Sequence, residues 1–257
     1  MSHVVPWYVM SAYDAFAPIY DVWASDMTED VDFYVELARE ADGPVVELAV
    51  GTGRVAIPIA ERTGKRVIGI DSSPAMLGVA RERADAAGVE LDLREGDMRD
   101  LSLETASDLL ICPFRALLHL PTWADRRRVF ERVANALRPG GRFAWNAFVF
   151  DPNIAVELDG EQRDEPIPHR TDYAPADNRI DIALADGGGI SAWWVSRSEW
   201  EGLLDVSGLE TEALYGWFDH RPFDGESREF VWVARKPGAP HAPDAPLAVP
   251  GRRGQYE

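Results

Sequence analysis

Between Val45 and Phe150, short apolar runs alternate with amphipathic stretches, the pattern of strands joined by helical crossovers in a parallel sheet. Runs at 45–49, 66–70, 90–94, 107–112 and 141–150 predict strands. Helical spacing at 54–63, 74–87 and 123–137 predicts the crossovers between them. Pro74 suits a first helical turn, because the N–H it lacks has no intrahelical partner there, and Ser72 or Ser73 can cap that turn. Arg138-Pro-Gly-Gly141 ends the third helix with a breaker followed by two residues free to take positive φ.

The flanks differ in character. Residues 1–42 carry Tyr13-Asp-Ala-Phe-Ala-Pro-Ile-Tyr20-Asp-Val-Trp23 and then a helical pattern through Val35 and Leu37 to Ala41, which predicts a helical lid. Residues 151–195 are polar and rich in Pro and Asp before alternating at 179–184 and 190–195, which predicts a hairpin turning at Asp186-Gly-Gly-Gly189. A helix at 198–206 capped by Gly208 and strands at 210–218 and 228–235 would complete the sheet. The expected class is therefore α/β, a doubly wound, mostly parallel seven-stranded sheet with an N-terminal lid and a small inserted β lobe. Its expected parts are a lid (1–42), an α/β core (43–150), an inserted β lobe (151–195), a closing helix and strands (196–236) and a disordered tail (237–257).

Composition narrows what this fold does. With 257 residues, 46% of them hydrophobic, the chain can bury a sizeable core. Lys plus Arg number 26 against 44 Asp plus Glu, a net charge of −18 that repels a phosphate backbone, so nucleic acid is not an expected partner. Arg126-Arg127-Arg128 reads as a solvated helix face. Cys112 is the only cysteine, which excludes an internal disulfide and a cysteine-built metal site. Residues 1–10 lack a basic start with a long apolar run, and no stretch reaches the roughly 20 apolar residues of a membrane span. A cytoplasmic protein without membrane partners is the expectation. His169 with Asp164, Glu165 and Asp172 matches no metal-site spacing, so no metal is expected.

Gly51 and Gly53 follow the first predicted strand, where glycine lets the backbone approach a ligand and the next helix aims its free N–H groups at polar groups. Alone, the pair does not separate a ligand loop from a plain turn. Asp71, 18 residues after Gly53 at the end of the second strand, adds a carboxylate able to accept from both ribose hydroxyls. A nucleoside ligand follows, yet Gly51-Thr-Gly53-Arg-Val-Ala56 also fits a dinucleotide fingerprint. A nicotinamide-dependent oxidoreductase therefore stays open at this point, as does a non-catalytic binding module. Against the oxidoreductase stand Gly96-Asp97-Met98, suited to an adenine amino edge beside an apolar face, and the absence of any Tyr-x-x-x-Lys pair.

Glu47-Leu-Ala-Val-Gly-Thr-Gly53, Gly69-Ile-Asp-Ser-Ser-Pro-Ala-Met-Leu77, Gly96-Asp-Met98 and Leu137-Arg-Pro-Gly-Gly141 together resemble the class I S-adenosylmethionine-dependent methyltransferases, over residues 13–235. The resemblance implies S-adenosylmethionine as cofactor and methyl transfer to N or O of a small-molecule acceptor. It implies that Glu47, Ala49, Gly51 and Gly53 face the methionine part, Asp71 and Ser72 the ribose, Met76 and Met98 the adenine faces, and Asp97 its amino edge. Pro113 and Tyr20 join this cofactor set. Ala49 replaces a glycine of many members, tolerable if its φ is negative. A narrower likeness to amino-sugar N-methyltransferases rests on Tyr13 and Tyr20, Cys112-Pro-Phe-Arg-Ala-Leu-Leu-His119-Leu and the inserted lobe.

Sulfonium methyl transfer is an in-line displacement, so alignment and water exclusion dominate. An amine or hydroxyl acceptor still loses a proton, and His119, beyond the fourth strand, is the candidate base. Tyr13 is the second catalytic candidate, through a hydroxyl near the transferred methyl. Arg115 reads equally as an anchor for an anionic acceptor or as a solvated side chain. Of Trp193 and Trp194, only one can face a pocket if both lie in a strand. His169, Tyr173 and His220 read as loop residues.

Overall fold

The computed structural model describes residues 13–14, 16–24, 28–185 and 188–238. A short α1 (Tyr20–Trp23) and α2 (Glu29–Glu40) lead into β1 (Val45–Leu48), α3 (Ala56–Thr63), β2 (Val67–Asp71), α4 (Pro74–Ala87) and β3 (Leu91–Glu95). After β4 (Ser107–Cys112) come α5 (Trp123–Ala136), β5 (Leu137–Phe148) and α6 (Pro152–Leu158). Four short strands follow, β6 (Gln162–Arg163), β7 (His169–Ala174), β8 (Arg179–Leu184) and β9 (Gly189–Trp193). The chain then runs through α7 (Arg197–Ser207), β10 (Glu210–Tyr215) and β11 (Glu229–Arg235).

The seven-stranded sheet has the order β10-β11-β5-β4-β1-β2-β3. β1 through β5 are parallel, while β11 runs antiparallel to β5 and to β10. Helices cover both faces, which is why β1 and β2 are buried throughout and apolar except at Glu47 and Asp71. On one face Phe130 of α5 and Trp200 of α7 pack against Phe143, Trp145 and Trp232, the last two stacked at 5.7 Å and 9°. On the other, Phe33 and Tyr34 of α2, Ile59 of α3 and Leu77 of α4 close over Val45, Val67 and Ile111. A third, smaller core joins Phe16, Met76 and Leu184, with Trp23, Ile167 and Ile190 against it. It binds the N-terminal segment to α4 and the four-stranded sheet.

Helix ends carry their own signals. Ser73 Oγ accepts from Met76 N–H, Thr122 Oγ1 from Asp125 N–H and Ser196 Oγ from Glu199 N–H, each satisfying an amide with no intrahelical partner. Gly64 and Gly208 end α3 and α7 in the left-handed conformation.

Several expectations are corrected here. β5 begins at Leu137, not at 141, because Leu137 pairs with Ser107 of β4 and Gly140 N–H reaches the Lys236 carbonyl. The lobe is a four-stranded antiparallel sheet of order β6-β7-β8-β9, with α6 before it, and not a lone hairpin. His169 and Tyr173 therefore stand in β7, not in loops. Part of the expected turn, 186–187, and residues 239–257 of the expected tail lie outside the described residues. Arg126 leaves the expected solvated face: it is buried, bonding Glu199 and the Leu120 carbonyl.

Candidate active site

Strand order reverses between β1 and β4, and open α/β sheets bind ligands beyond the carboxyl ends of their strands at such a reversal. A cavity of about 380 Å³ lies there. Its walls are the segments leaving β1 to β5, the N-terminal segment, and β8 and β9 of the lobe.

The loop after β1 is held in left-handed backbone, with φ of 53° at Ala49, 54° at Gly51 and 77° at Gly53. Ala49 thus departs from the negative φ expected of it. Val50 N–H is bonded to the Ile70 carbonyl at the end of β2, and this pins the sharp turn that forces Ala49 over at a cost of ~1–2 kcal/mol. Ala49 and Gly51 line the cavity, whereas Gly53 and Glu47 do not. A Cβ on Gly53 would meet Ile57 Cδ1 at 3.1 Å, so this glycine serves the close approach of α3. Glu47 is 2% exposed, its Oε2 has no hydrogen-bond partner, and burial pushes its carboxyl well above the usual range.

Asp71 ends β2 in the cavity wall. Its Oδ2 accepts from Gly51 N–H and its Oδ1 from Ser73 N–H, both at 2.8 Å. One carboxylate thereby fastens the glycine loop to the start of α4. Burial raises its pKa, and the amides of Ser73, Gly51 and Ser72 oppose the rise. Ser72, Met76, Met98 and Pro113 line the same cavity. Asp97 lines it too, but its carboxylate is forked by Arg99, which holds it below the usual range; Arg99 also reaches Asp125.

The N-terminal segment is tied across this half of the cavity by two carboxylates. Asp14 accepts from Ser73 Oγ, and Asp21 accepts from Thr52 Oγ1 at 2.8 Å and Arg83 Nη1 at 2.6 Å. Between them Tyr20 sits over Gly51 and meets Phe114 edge to face at 5.8 Å. Burial lifts its hydroxyl to about 12 against the pull of Arg54, and burial likewise raises Tyr13, so both hydroxyls stay protonated at neutral pH. Arg54 is itself forked by the wholly buried Asp30 and lies 4.7 Å above the Phe114 ring.

On the other half, the tight turn after β4 takes positive φ at Phe114 and Arg115 and continues into a 3-10 turn, Ala116–His119. His119 Nδ1 lies 2.8 Å from the Ser191 carbonyl of β9. A carbonyl only accepts, so Nδ1 carries the proton and Nε2 keeps the lone pair. Burial lowers the pKa of the imidazole despite that bond, leaving the ring neutral. The Tyr13 ring meets it edge to face at 5.3 Å.

Arg115, expected as an anion anchor or a solvated side chain, is instead forked by the fully buried Glu229 of β11. Glu229 also accepts from Asn146, whose Oδ1 accepts from Tyr34. Sequence reading missed the Phe16, Trp23, Phe148, Ile182, Ile190 and Ala192 lining, and the Asp14 and Asp21 ties. The seven-residue separation of the two aspartates was visible, but their partners 59 and 62 residues away carried no local signal. Trp194 stacks on Phe150 at 4.0 Å, and neither it nor Trp193 lines the cavity.

The residues present suit S-adenosylmethionine. Left-handed backbone at Ala49 and Gly51 keeps side chains out of the way, Asp71 offers a buried carboxylate, and Met76 and Met98 add apolar wall. Comparison with known proteins agrees. Residues 45–141 match the family model described as a methyltransferase domain. The chain is 32% identical over 154 residues to a demethylmenaquinone methyltransferase of Thermus thermophilus, covering 57% of this chain and 68% of that one. The CcbJ methyltransferase of Streptomyces caelestis superposes with a TM-score of 0.75 at 25% identity, over 89% of this chain and 99% of that one. CalS10, an amino pentose methyltransferase of Micromonospora echinaspora solved with S-adenosylmethionine bound, gives 0.62 at 22% identity, over 86% and 96%. Neither the oxidoreductase nor the binding-module alternative finds support among these relatives. A nucleoside crevice at the reversal of a seven-stranded sheet and a methyltransferase relative aligned across more than two thirds of its own length lead to one assignment: the chain belongs to the class I S-adenosylmethionine-dependent methyltransferases.

Proposed function

We propose that this enzyme methylates N or O of a small-molecule acceptor held beneath the inserted lobe, with His119 as the proton-accepting base. The observation that carries this reading is the single cavity running from Asp71 and Gly51 to His119, closed by the lobe through the His119–Ser191 bond. At about 380 Å³ it falls within the ~300–1,000 Å³ of small-molecule sites.

Asp71 takes the ribose hydroxyls, and the Ala49 and Gly51 backbone takes the methionine part. Met76, Met98 and Pro113 would enclose the base, Ser72 would add a polar contact beside the ribose, and Asp97, which lines the cavity with Arg99 on its carboxylate, would meet the adenine amino group. When bound, the cofactor supplies an electrophilic methyl on sulfur. Everything else falls to the chain. Tyr20, fixed by the Asp14 and Asp21 ties, excludes water from above. The protonated Tyr13 hydroxyl orients the acceptor as donor or acceptor but cannot serve as base. Neutral His119 can, through Nε2. Glu47 and Gly53 stand behind the wall, Gly53 admitting the close approach of α3.

Among the described residues no helix is long and apolar enough to cross a membrane. We place the enzyme in the cytoplasm, where the donor is made, without nucleic-acid partners, on the support of its acidic balance. The test is calorimetry with S-adenosylhomocysteine, then a methyl-transfer screen against metabolite pools read as release of that product. Micromolar binding with product release in at least one pool is expected. Failure to bind S-adenosylhomocysteine would overturn the reading.

A further inference from the structure

The carboxylates lining the cavity are confined to one side by sheet position, and one of them, Asp97, is already forked by the lining Arg99. Both lining carboxylates among the described residues, Asp71 and Asp97, stand at the ends of β2 and β3. Beyond β4 and β5, where the acceptor must enter, the lining groups are Arg115 and His119. Sheet order separates the two sets, with β1 between β4 and β2.

The Arg115–Glu229 pair is neutral in sum but not in field. Glu229 is 0% exposed while the Arg115 side chain is 38% exposed, so the positive end of the pair faces the cavity. Glu229 engages Nε and Nη2 of Arg115, which leaves Nη1 outside the fork. His119 is neutral with its lone pair on Nε2. Apart from the Tyr13 hydroxyl, the rest of this end is apolar, made by Ile182, Ile190 and Ala192 of the lobe with Trp23, Phe148 and Leu118.

An alkylamine, an ammonium at neutral pH, would have to shed its proton before reacting, and here it would bind beside an arginine and a cationic methyl donor with no lining carboxylate in this half to receive it. A hydroxyl that gathers negative charge as it reacts meets the opposite field. We therefore propose that the acceptor is a flat, largely apolar molecule bearing an acidic hydroxyl, a phenol or an enol, and that the enzyme is an O-methyltransferase whose choice of acceptor is set by Arg115. This rests on the small-molecule reading above. In the step, a lone pair on the acceptor oxygen forms the new C–O bond and the methyl–sulfur bond breaks with its pair left on sulfur. The hydroxyl proton passes to His119 Nε2, so the positive charge that began on sulfur ends on imidazolium.

A matched pair of probes, naphthol and naphthylmethylamine, the second an ammonium at neutral pH, tests this with the full chain. Calorimetry in saturating S-adenosylhomocysteine measures acceptor binding apart from turnover, and product release with S-adenosylmethionine measures transfer. Expected are at least tenfold tighter binding of naphthol and at least tenfold higher kcat/KM for it. The Arg115→Gln, Glu229→Gln double variant removes both charges of the pair together and so strands neither. It should keep S-adenosylhomocysteine affinity and lose naphthol affinity about tenfold. Ala192→Asp, which leaves that pair intact, should reverse the preference by placing a carboxylate over the acceptor. Equal or preferred use of naphthylmethylamine, binding of neither probe, or an unchanged preference in Ala192→Asp would overturn the proposal. Because S-adenosylhomocysteine binding is scored separately, its loss would count against the cofactor reading and not against this one.

Discussion

On the β1–β2–β3 side of the crevice, consecutive backbone does most of the shaping. Ala49 and Gly51 are bent into left-handed conformations, and Asp71 locks that bend to the start of α4 through two amides. On the β4–β5 side Phe114 and Arg115 are left-handed too, but the side chains of that turn are oriented by distant partners. His119 is oriented by Ser191, 72 residues away, and Arg115 by Glu229, 114 residues away. The first half presents a carboxylate on rigid elements to a ligand that never varies. The second presents side chains of the β4 turn held in place by a lobe and a late strand, where, on the proposed reading, change would alter the acceptor without disturbing the cofactor.

The sharpest way to break the comparison is to remove one central group from each half. Asp71→Ala deletes charge-assisted hydrogen bonds of ~1.5–3 kcal/mol each, and S-adenosylhomocysteine affinity should fall at least about a hundredfold by calorimetry. His119→Ala should lower kcat by about a hundredfold or more, the scale of general-base catalysis, with S-adenosylhomocysteine affinity unchanged. If both variants lost cofactor affinity equally, the two halves would not be independent. The pH profile sharpens the second case. A base whose pKa is lowered by burial remains neutral, and active, until pH drops through that lowered value. The acid limb of kcat/KM should therefore lie below the ordinary histidine value of ~6.5 and vanish in His119→Ala.

Smaller effects probe the seam. Tyr20→Ala removes buried aromatic surface between Gly51 and Phe114, and S-adenosylhomocysteine affinity should fall roughly tenfold. Ala49→Gly relieves ~1–2 kcal/mol of left-handed strain and gives back ~0.5–1 kcal/mol in chain entropy. A rise in Tm of about a degree or two, seen by calorimetric melting, is expected with cofactor binding intact.

The same contrast explains what was legible in the chain. β1, β2 and β4 are buried on both faces and punctuated by Gly or Pro, so apolar runs mark them within a residue or two. Asp71 and the glycine loop are neighbours by sequence spacing as well as in space. The lobe strands are short and half-exposed, so His169–Ala174 shows no clean alternation and reads as loop. Pairings such as Arg115 with Glu229 or Asp14 with Ser73 join residues whose separation carries no periodic trace. Arg126 misled for the converse reason: its run looked solvated, and only Glu199 of α7 explains its burial. Ala49 was legible as a replaced glycine but not as a positive φ, because the Val50–Ile70 bond that imposes it spans two strands.

The position of β11 sets an order of assembly on the ribosome. β1 through β5, with Asp71 and its loop, are complete once residue 148 has been made, and domains fold as they emerge. Until Glu229–Arg235 arrives some eighty residues later, the Phe143–Trp145 edge of β5 stays unpaired, a template for wrong partners. When β11 docks, it shields that edge and delivers Glu229 to Arg115 in one movement. On the acceptor reading proposed above, a nascent chain would have its donor loop in place well before Arg115 gains its partner, and methyl transfer would wait for the strand that also covers the β5 edge.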